Sequence, residues 1–162
     1  MVKFIPLFKI ILLIVCSFVH VSHSAQAAEK SQHKETANWK IINYWAEWCT
    51  PCRQEIPELN RLAVLLSETN ITLVGVNYDD LVGDELAEVV SRMNIHFPQL
   101  SAQQQVLFNF PTPAALPATY LVSPAGELKL RLIGKQTLEN ILSGMDKVNP
   151  NFSTDQVTIN KS

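Results

Sequence analysis

Two cysteines three residues apart, Cys49 and Cys52, are the side chains of this sequence best suited to chemistry. They lie in the segment WAEWCTPC, residues 45–52, which joins a β-branched and aromatic run to an amphipathic one. This pattern predicts that the pair lies where a strand ends and a helix begins. At a helix N-terminus, unpaired backbone N–H groups and the helix dipole lower a thiol pKa from about 8.5 toward neutrality or below. The resulting thiolate is the nucleophile of thiol–disulfide exchange.

The predicted positions of the two cysteines give them different steps. Cys49, at the start of the helix, is expected to attack a disulfide, and Cys52, one turn later on the same face, is expected to resolve the mixed disulfide. Cys52 lies nearer the body of the protein, so its thiol is expected to be the less exposed one. We assign Trp48, Thr50 and Pro51 to substrate contact, with Trp48 covering one side of the sulfur pair.

Other uses of the cysteine pair are a structural disulfide and a metal site. A disulfide that closes so small a loop gains little chain entropy, which disfavours a purely structural role. Zinc needs two further ligands, and beyond residue 27 the chain has no other cysteine and only two histidines, His33 and His96. We therefore expect no resident metal, although a copper carrier that uses Cys49, Cys52 and His96 stays open.

The hydrophobic pattern predicts the elements that must position this pair. Strands are predicted over residues 40–46, 71–77, 119–122 and 127–133, and helices over 51–68, 84–93, 102–108 and 137–148. The first strand, helix and second strand have the spacing of a βαβ unit, whose strands are parallel. The last two strands flank a Ser-Pro-Ala-Gly turn, which is typical of a hairpin. The sequence thus predicts an α/β fold with a mixed central sheet of about four strands and helices on both faces.

The N-terminal residues have the order of an export signal. Lys3 and Lys9 accompany an apolar run over residues 10–19, and Ala-Gln-Ala follows at residues 25–27. We expect cleavage after residue 27, which would remove Cys16, interpreted here as an apolar filler. The apolar run is short for a membrane span of about 20 residues, but an uncleaved anchor over residues 4–21 stays open.

The rest of the chain predicts one domain. Residues 28–38 are expected to form a flexible lead-in, residues 39–149 the domain, and residues 150–162 a polar, frayed tail. The chain has 162 residues, and 13 Lys+Arg against 15 Asp+Glu leave a net charge of -2, so a nucleic-acid binder is disfavoured. Export implies an oxidising compartment, in which a cysteine pair serves either structure or redox chemistry.

Three segments resemble a known family. WAEWCTPC closely resembles the active-site strand and turn of thioredoxins, and CRQEIPEL, residues 52–59, looks like the TlpA/DsbE branch of exported thiol-disulfide reductases. LPATYLV, residues 116–122, and PAGE, residues 124–127, resemble the second motif of that branch. The likeness covers about residues 40–145. It implies a thioredoxin fold, a periplasmic location and a dithiol that needs no cofactor. It also implies disulfide-containing exported proteins as substrates and a membrane reductant transporter of the DsbD type as electron donor.

The resemblance also implies a substrate-binding loop at Leu116 and Pro117. In the family the proline is cis and faces the two sulfurs. The backbone of Leu116 is then free to pair with an extended substrate segment, as an added strand would. The alternative is a rigid loop proline without that role, since most X-Pro bonds are trans.

Two positions near the cysteines bear on proton transfer. Asn43 stands where thioredoxins carry a buried Asp beneath the resolving cysteine, and an amide cannot take up a proton. Glu55, three residues after Cys52, matches an acid of the TlpA branch and shares a helix face with Cys52. We expect Glu55 to tune or deprotonate the resolving thiol. The alternative is an exposed glutamate that only complements the helix dipole. Glu47 and Arg53 are interpreted as solvated charges.

The sequence therefore predicts an exported thiol-disulfide oxidoreductase. Residues 50 and 51 lack the histidine of strongly oxidising relatives, which favours a reductase of protein disulfides. A disulfide-forming oxidant of the same fold, a copper carrier and a redox-inactive binding module that uses the groove beside Pro117 stay open. Family members usually begin with a β-hairpin before the central strand. Residues 28–39 are too few for a full hairpin, so this element is expected to be shortened or missing. Whether the chain docks the partners of the family therefore stays open.

Overall fold

The computed structural model describes residues 38–108, 110–154 and 157. The strands are β1 (Trp39–Trp45), β2 (Ile71–Asn77), β3 (Ala118–Val122) and β4 (Leu128–Ile133). The helices are α1 (Thr50–Leu66), α2 (Gly83–Arg92), α3 (Ala102–Val106) and α4 (Leu138–Val148). Within the described residues no helix is both long and apolar enough to cross a membrane. The predicted signal, Cys16, His33 and all of the lead-in except Asn38 lie outside the described residues.

The four strands form one mixed sheet in the order β2-β1-β3-β4. β1 pairs in parallel with β2, from Trp39 opposite Ile71 to Trp45 opposite Asn77, and antiparallel with β3. β3 and β4 are antiparallel and joined by the predicted turn, in which Gly126 has a φ of 78° that suits glycine. The βαβ unit and the hairpin are confirmed. Because β1 and β2 are parallel neighbours, the loops that follow them emerge at the same edge of the sheet.

The predicted element bounds are close to those observed. β1 begins and ends one residue earlier than predicted, and α1 covers Thr50–Leu66 rather than residues 51–68. The N–H of Ser67 turns back to the carbonyl of Val64, which ends α1 before Glu68. α3 ends at Val106 instead of residue 108 for a similar reason, since the N–H of Leu107 bonds the carbonyl of Gln104.

Helical segments cover both faces of the sheet. On one face α1 and α4 pack against the sheet, and the fully buried side chains there include Ile41, Leu121, Leu59, Leu62, Ile141 and Met145. The other face is covered by the segment around α3, and the side chains that meet there include Ile42, Val74, Tyr120, Leu100, Phe108 and Phe110. The first face carries the helix that follows the cysteine turn, so burial of α1 fixes where that turn lies.

Two described residues after α4 contribute to the core, although the polar composition of residues 150–162 predicts a frayed tail. Phe152 and Val157 are buried and belong to the core beneath α1 and α4. The N–H of Phe152 bonds the carbonyl of Asn149, which turns the chain back onto the domain. Burying two apolar side chains stabilises the fold by a few kcal/mol, enough to hold a short segment in place.

The side chain of Gln99 lies directly over Gly75 and holds Trp45, the last residue of β1. The indole Nε1 of Trp45 donates to Oε1 of Gln99 at 2.8 Å, and Nε2 of Gln99 donates to the carbonyl of Phe97 at 3.0 Å. A Cβ at Gly75 would lie 2.2 Å from Oε1 of Gln99. Gly75 is therefore required by the close approach of Gln99, which in turn fixes the last residue of the strand leading to the cysteines.

We predict that Gly75→Ala destabilises the protein by about 2 kcal/mol, because the Gln99 amide must move and the buried indole N–H of Trp45 loses its acceptor. The measurement is the free energy of unfolding in urea. Gln99→Ala provides the control, since the two substitutions act on one hydrogen bond and their effects should not add. Full additivity in the double variant would contradict this account.

Candidate functional site

The cysteine pair lies at the N-terminus of α1, as its spacing predicted. Cys49 is the N-cap residue, and its Sγ accepts a hydrogen bond from the backbone N–H of Cys52 at 3.2 Å. The two sulfurs form a disulfide between Cα atoms 5.3 Å apart. Cys49 keeps 4% of its surface exposed and Cys52 none. An incoming group can therefore reach only Cys49, and a sulfur that acquires charge there meets the backbone N–H groups of the helix start.

The charges around the turn leave the helix N-terminus positive. The first turn of α1 contains no acidic residue. Glu47, just before the turn, is bound at 3.0 Å by Nε of Arg92, and this hydrogen bond lowers the pKa of its carboxyl. Arg53 is exposed. Both residues therefore lie at the surface, as interpreted from the sequence, and Glu47 additionally ties the turn to the end of α2.

Trp48 stands out from the surface beside the pair. Its side chain is 64% exposed, and its indole Nε1 donates to both carboxylate oxygens of Asp79, at 3.0 and 3.1 Å. The ring also meets Tyr78 edge-on, with centroids 6.3 Å apart. Tyr78 and Asp79 belong to the loop after β2, which emerges next to the cysteine turn after β1. Contacts with this neighbouring loop therefore hold the exposed ring of Trp48 in place. That Trp48 covers the sulfurs stays a prediction.

Glu55 is a buried carboxyl one turn after Cys52. It is 1% exposed, so the alternative of a solvent-exposed glutamate is wrong. Its Oε1 accepts from Nδ2 of Asn43 at 2.7 Å, and its Oε2 accepts from the backbone N–H of Gln136 at 2.9 Å. Burial raises the pKa of Glu55 to about 7, although both hydrogen bonds and the nearby charge of Lys135 act in the opposite direction. A carboxyl with this pKa exchanges its proton near neutral pH.

Asn43 links Glu55 to the sheet. It lies on β1 in register with Thr119 on β3, and its Nδ2 also approaches Oγ1 of Thr119 at 3.2 Å. All three side chains are buried. The sequence identified Asn43 only as a missing acid, whereas the structure makes it the donor that supports an acid from the neighbouring helix. A polar residue on the inward face of β1, between Ile41 and Trp45, was the available signal.

The predicted substrate loop precedes β3. The Leu116–Pro117 peptide bond is cis, as the family resemblance implied. The carbonyl of Pro117 accepts from the N–H of Gly134 at 2.8 Å, and Nε2 of Gln136 donates to the carbonyl of Gly134 at 2.8 Å. The turn over residues 134–136 therefore bonds both to the proline loop and to Glu55. No sequence pattern pointed to Gln136, which is 81 residues from Glu55.

The described residues hold no group of three or more His, Cys, Asp or Glu side chains placed to bind a metal. Cys49, Cys52 and His96, the three ligands considered for copper, are therefore not brought together. The imidazole Nε2 of His96 lies 2.9 Å from Oδ1 of Asn94 instead.

Comparison with known proteins gives consistent results. The sequence profile of the AhpC/TSA family matches residues 17–131. A thiol-disulfide oxidoreductase ResA from Geobacillus kaustophilus is 29% identical over 68% of this chain and 63% of its own length. The thiol:disulfide interchange protein HelX from Rhodobacter capsulatus is 31% identical over 66% of this chain and 58% of its own length. The chain thus spans less than two thirds of either relative.

Solved structures share the fold. StoA from Bacillus subtilis has a TM-score of 0.54 and 22% identity, covering 65% of this chain and 80% of StoA. A thiol:disulfide interchange protein DsbE from Chlorobium tepidum has a TM-score of 0.53 and 21% identity, covering 70% of this chain and 79% of that protein. The predicted thioredoxin-like fold and the resemblance to DsbE-type proteins are confirmed.

The buried carboxyl predicts a pH-dependent stability. Between pH 4.5, the ordinary pKa, and about pH 7, folded Glu55 keeps a proton that the unfolded chain has lost. Unfolding then releases a proton, so stability falls as pH rises through this window and levels off above it. Relative to Glu55→Gln, the wild type should lose on the order of 3 kcal/mol between pH 4 and pH 8.

The measurement is urea unfolding of the oxidised protein at both pH values. Glu68→Gln, at an exposed position just beyond α1, is the matched control and should leave the pH dependence of the wild type unchanged. A stability difference between wild type and Glu55→Gln that is the same at pH 4 and pH 8 would contradict a raised pKa.

Proposed function

Because this chain belongs to the AhpC/TSA family, we propose that it is an exported thiol-disulfide oxidoreductase that reduces protein disulfides through Cys49 and Cys52. The observation that carries the proposal is the disulfide at the N-terminus of α1, in which Cys49 keeps 4% of its surface exposed and Cys52 none. Relatives named thiol-disulfide oxidoreductase and thiol:disulfide interchange protein support the same chemistry.

The cycle begins from the reduced pair. The Cys49 thiolate attacks one sulfur of a substrate disulfide, forming a bond to it, and the other substrate sulfur leaves as a thiolate that takes a proton. Cys52 then loses its proton and attacks Sγ of Cys49. The mixed disulfide breaks, the second substrate sulfur is released as a thiol, and the Cys49–Cys52 disulfide forms. Two electrons pass to the substrate, and no cofactor is needed.

Glu55 is proposed to receive the proton of Cys52 in the second step. It lies on the same helix one turn away, and its pKa of about 7 suits a group that takes up and returns a proton near neutral pH. Its hydrogen bonds from Asn43 and Gln136 fix the carboxyl in one place. Glu55 would thus act only on resolution and not on the first attack by Cys49.

Substrate is proposed to bind across the exposed rim of the cysteine turn. Trp48, Thr50 and Pro51 are exposed around the sulfur that reacts first. The register of β1 with β3 ends at Ala118, so Leu116 lies beyond the paired strands and its backbone can meet an extended substrate segment. Pro117 would set the direction of that segment. Recognition through backbone groups suits many disulfide-containing proteins rather than one sequence.

The proposals for the direction of electron transfer, the cellular location of the protein and its electron donor rest on sequence features and on the family. Residues 1–27 support export, with either a free periplasmic protein or one held by an anchor over residues 4–21. The Thr50-Pro51 dipeptide supports a reductase, and a reductase in an oxidising compartment needs an electron supply, for which a membrane transporter of the DsbD type is proposed. An oxidant of the same fold would use the same residues in reverse, and a copper carrier would bind Cu(I) stoichiometrically to the reduced pair.

Trapping tests the proposed order of attack. Cys52→Ala, reduced and mixed with a protein disulfide such as insulin, should accumulate a mixed disulfide through Cys49, because no thiol remains to resolve it. Cys49→Ala should form none, since Cys52 is buried. Non-reducing electrophoresis after acid quenching detects the adduct. An equal yield from both variants, or none from Cys52→Ala, would overturn the assignment.

Glu55→Gln should slow resolution of the mixed disulfide by about 100-fold or more at pH 7 while leaving the first attack unchanged, because the loss of a positioned base costs of this order. Stopped-flow kinetics with a chromogenic disulfide separate the two steps. Glu68→Gln serves as the control. Unchanged resolution in Glu55→Gln would remove Glu55 from the mechanism without affecting the roles of the cysteines.

A further inference from the structure

Of the two described residues that donate hydrogen bonds to Glu55, Asn43 is the one that can change from donor to acceptor. The backbone N–H of Gln136 can only donate, and it faces Oε2 of the carboxyl. The side-chain amide of Asn43 carries a donor at Nδ2 and an acceptor at Oδ1 on a planar group of nearly equal ends. Nδ2 faces Oε1 of Glu55 at 2.7 Å. Rotation of the amide by half a turn would place Oδ1 there instead.

The other end of the Asn43 amide has no competing partner. Oδ1 is buried, and no described residue donates a hydrogen bond to it, which is unusual for a buried acceptor. Rotation would leave Nδ2 in that position, so one end of the amide stays unpaired in either orientation. Neither orientation of the amide therefore gains a hydrogen bond at its unpaired end. The orientation is decided at the end that faces Glu55 and Thr119.

Both partners at the opposite end can reverse with the amide. The hydroxyl of Thr119, 3.2 Å from Nδ2, accepts or donates by rotating its hydrogen. Glu55 accepts while ionised and gains an O–H donor when protonated. Only at Oε1 can this donor find an acceptor among these partners, because the N–H of Gln136 at Oε2 can only donate. Next to the present orientation, the O–H of a neutral Glu55 would find no acceptor in the Asn43 amide, and the rotated amide supplies one.

We propose that Asn43 is a positioning residue whose side-chain amide reverses when Glu55 takes up a proton, so that both forms of the carboxyl are hydrogen-bonded. In the ionised form Nδ2 donates to Oε1, and in the neutral form the O–H of Oε1 donates to Oδ1. The facing groups on β1 and β3, Asn43 and Thr119, do not titrate. The nearby charge is Lys135 in the turn after β4. Cys52, on the same helix, carries a thiol once the pair is reduced.

This exchange gives the site a way to move a proton in a place closed to water. Since Oε1 has a hydrogen-bond partner in both protonation states, the carboxyl can take up and release a proton without becoming an unsatisfied buried group itself. Its use in catalysis rests on the proposed function, in which Cys52 supplies the proton. The exchange itself needs neither substrate nor a reduced pair.

The test is a pH titration by NMR of the full chain in its oxidised form, with labelled Asn side-chain amides and Glu carboxyl carbons. Above the Glu55 midpoint, the Nδ2 protons of Asn43 should show cross-relaxation to the side-chain protons of Thr119. Below it that contact should weaken at least threefold, with the same midpoint as the Glu55 carboxyl carbon. Persistence of the contact at both ends of the titration would overturn the proposal.

Two comparisons separate reversal from a general effect of pH. Asn77 is a buried asparagine whose Oδ1 accepts from the N–H groups of Asp79 and Leu81, so its amide should not change. In Glu55→Gln the Asn43 amide should lose its pH dependence, because the titrating group is gone. A pH-dependent Asn43 in Glu55→Gln would contradict the coupling.

Asn43→Val tests the positioning role without relying on catalysis. Loss of the donor to the ionised form outweighs loss of the acceptor for the neutral form, since hydrogen bonds to charged groups are stronger. The proton affinity of Glu55 should rise about three- to tenfold. An unchanged affinity in a folded variant would assign Asn43 a structural role only and overturn the proposal; if the variant does not fold, the wild-type titration decides. Absent disulfide reductase activity would reject the proposed function and leave this result standing.

Discussion

The hydrogen bond from Nδ2 of Asn43 to Oε1 of Glu55, at 2.7 Å, is the contact on which the arrangement of the site depends. Ionising a carboxyl that is 1% exposed is costly. The pKa of Glu55 stays as low as about 7 because fixed donors compensate part of that cost. One donor comes from the central strand and the other from the turn after β4. The acid, the sheet and the proposed substrate loop are therefore joined at a single side chain.

The sheet topology explains how these groups meet. β1 is a central strand with β2 on one side and β3 on the other, so its inward face can carry Asn43 between α1 and Thr119. The carboxyl end of β1 leads directly into the cysteine turn, where α1 begins. The loop after β2 emerges beside it and fixes Trp48 through Asp79. The proposed nucleophile Cys49 and the proposed proton acceptor Glu55 thus lie within the first two turns of one helix.

Local patterns predicted most of this site, and long-range contacts account for the rest. The strands and helices follow from hydrophobic periodicity, and the spacing of Cys49, Cys52 and Glu55 follows from one helix face. Burial of Glu55 could not be predicted, because its partners Asn43 and Gln136 lie 12 and 81 residues away in the chain. The core contribution of Phe152 and Val157 was hidden by the polar residues around them.

The reduction potential of the Cys49–Cys52 pair tests the central claim most directly. The protein is equilibrated against dithiothreitol and glutathione buffers of known potential, and its free thiols are trapped. A reductase predicts a value near that of thioredoxin, about -270 mV, at which the dithiol gives electrons to substrate disulfides and needs its own electron supply. A value near -120 mV, like that of DsbA, would make the pair an oxidant of folding proteins and contradict the proposed direction.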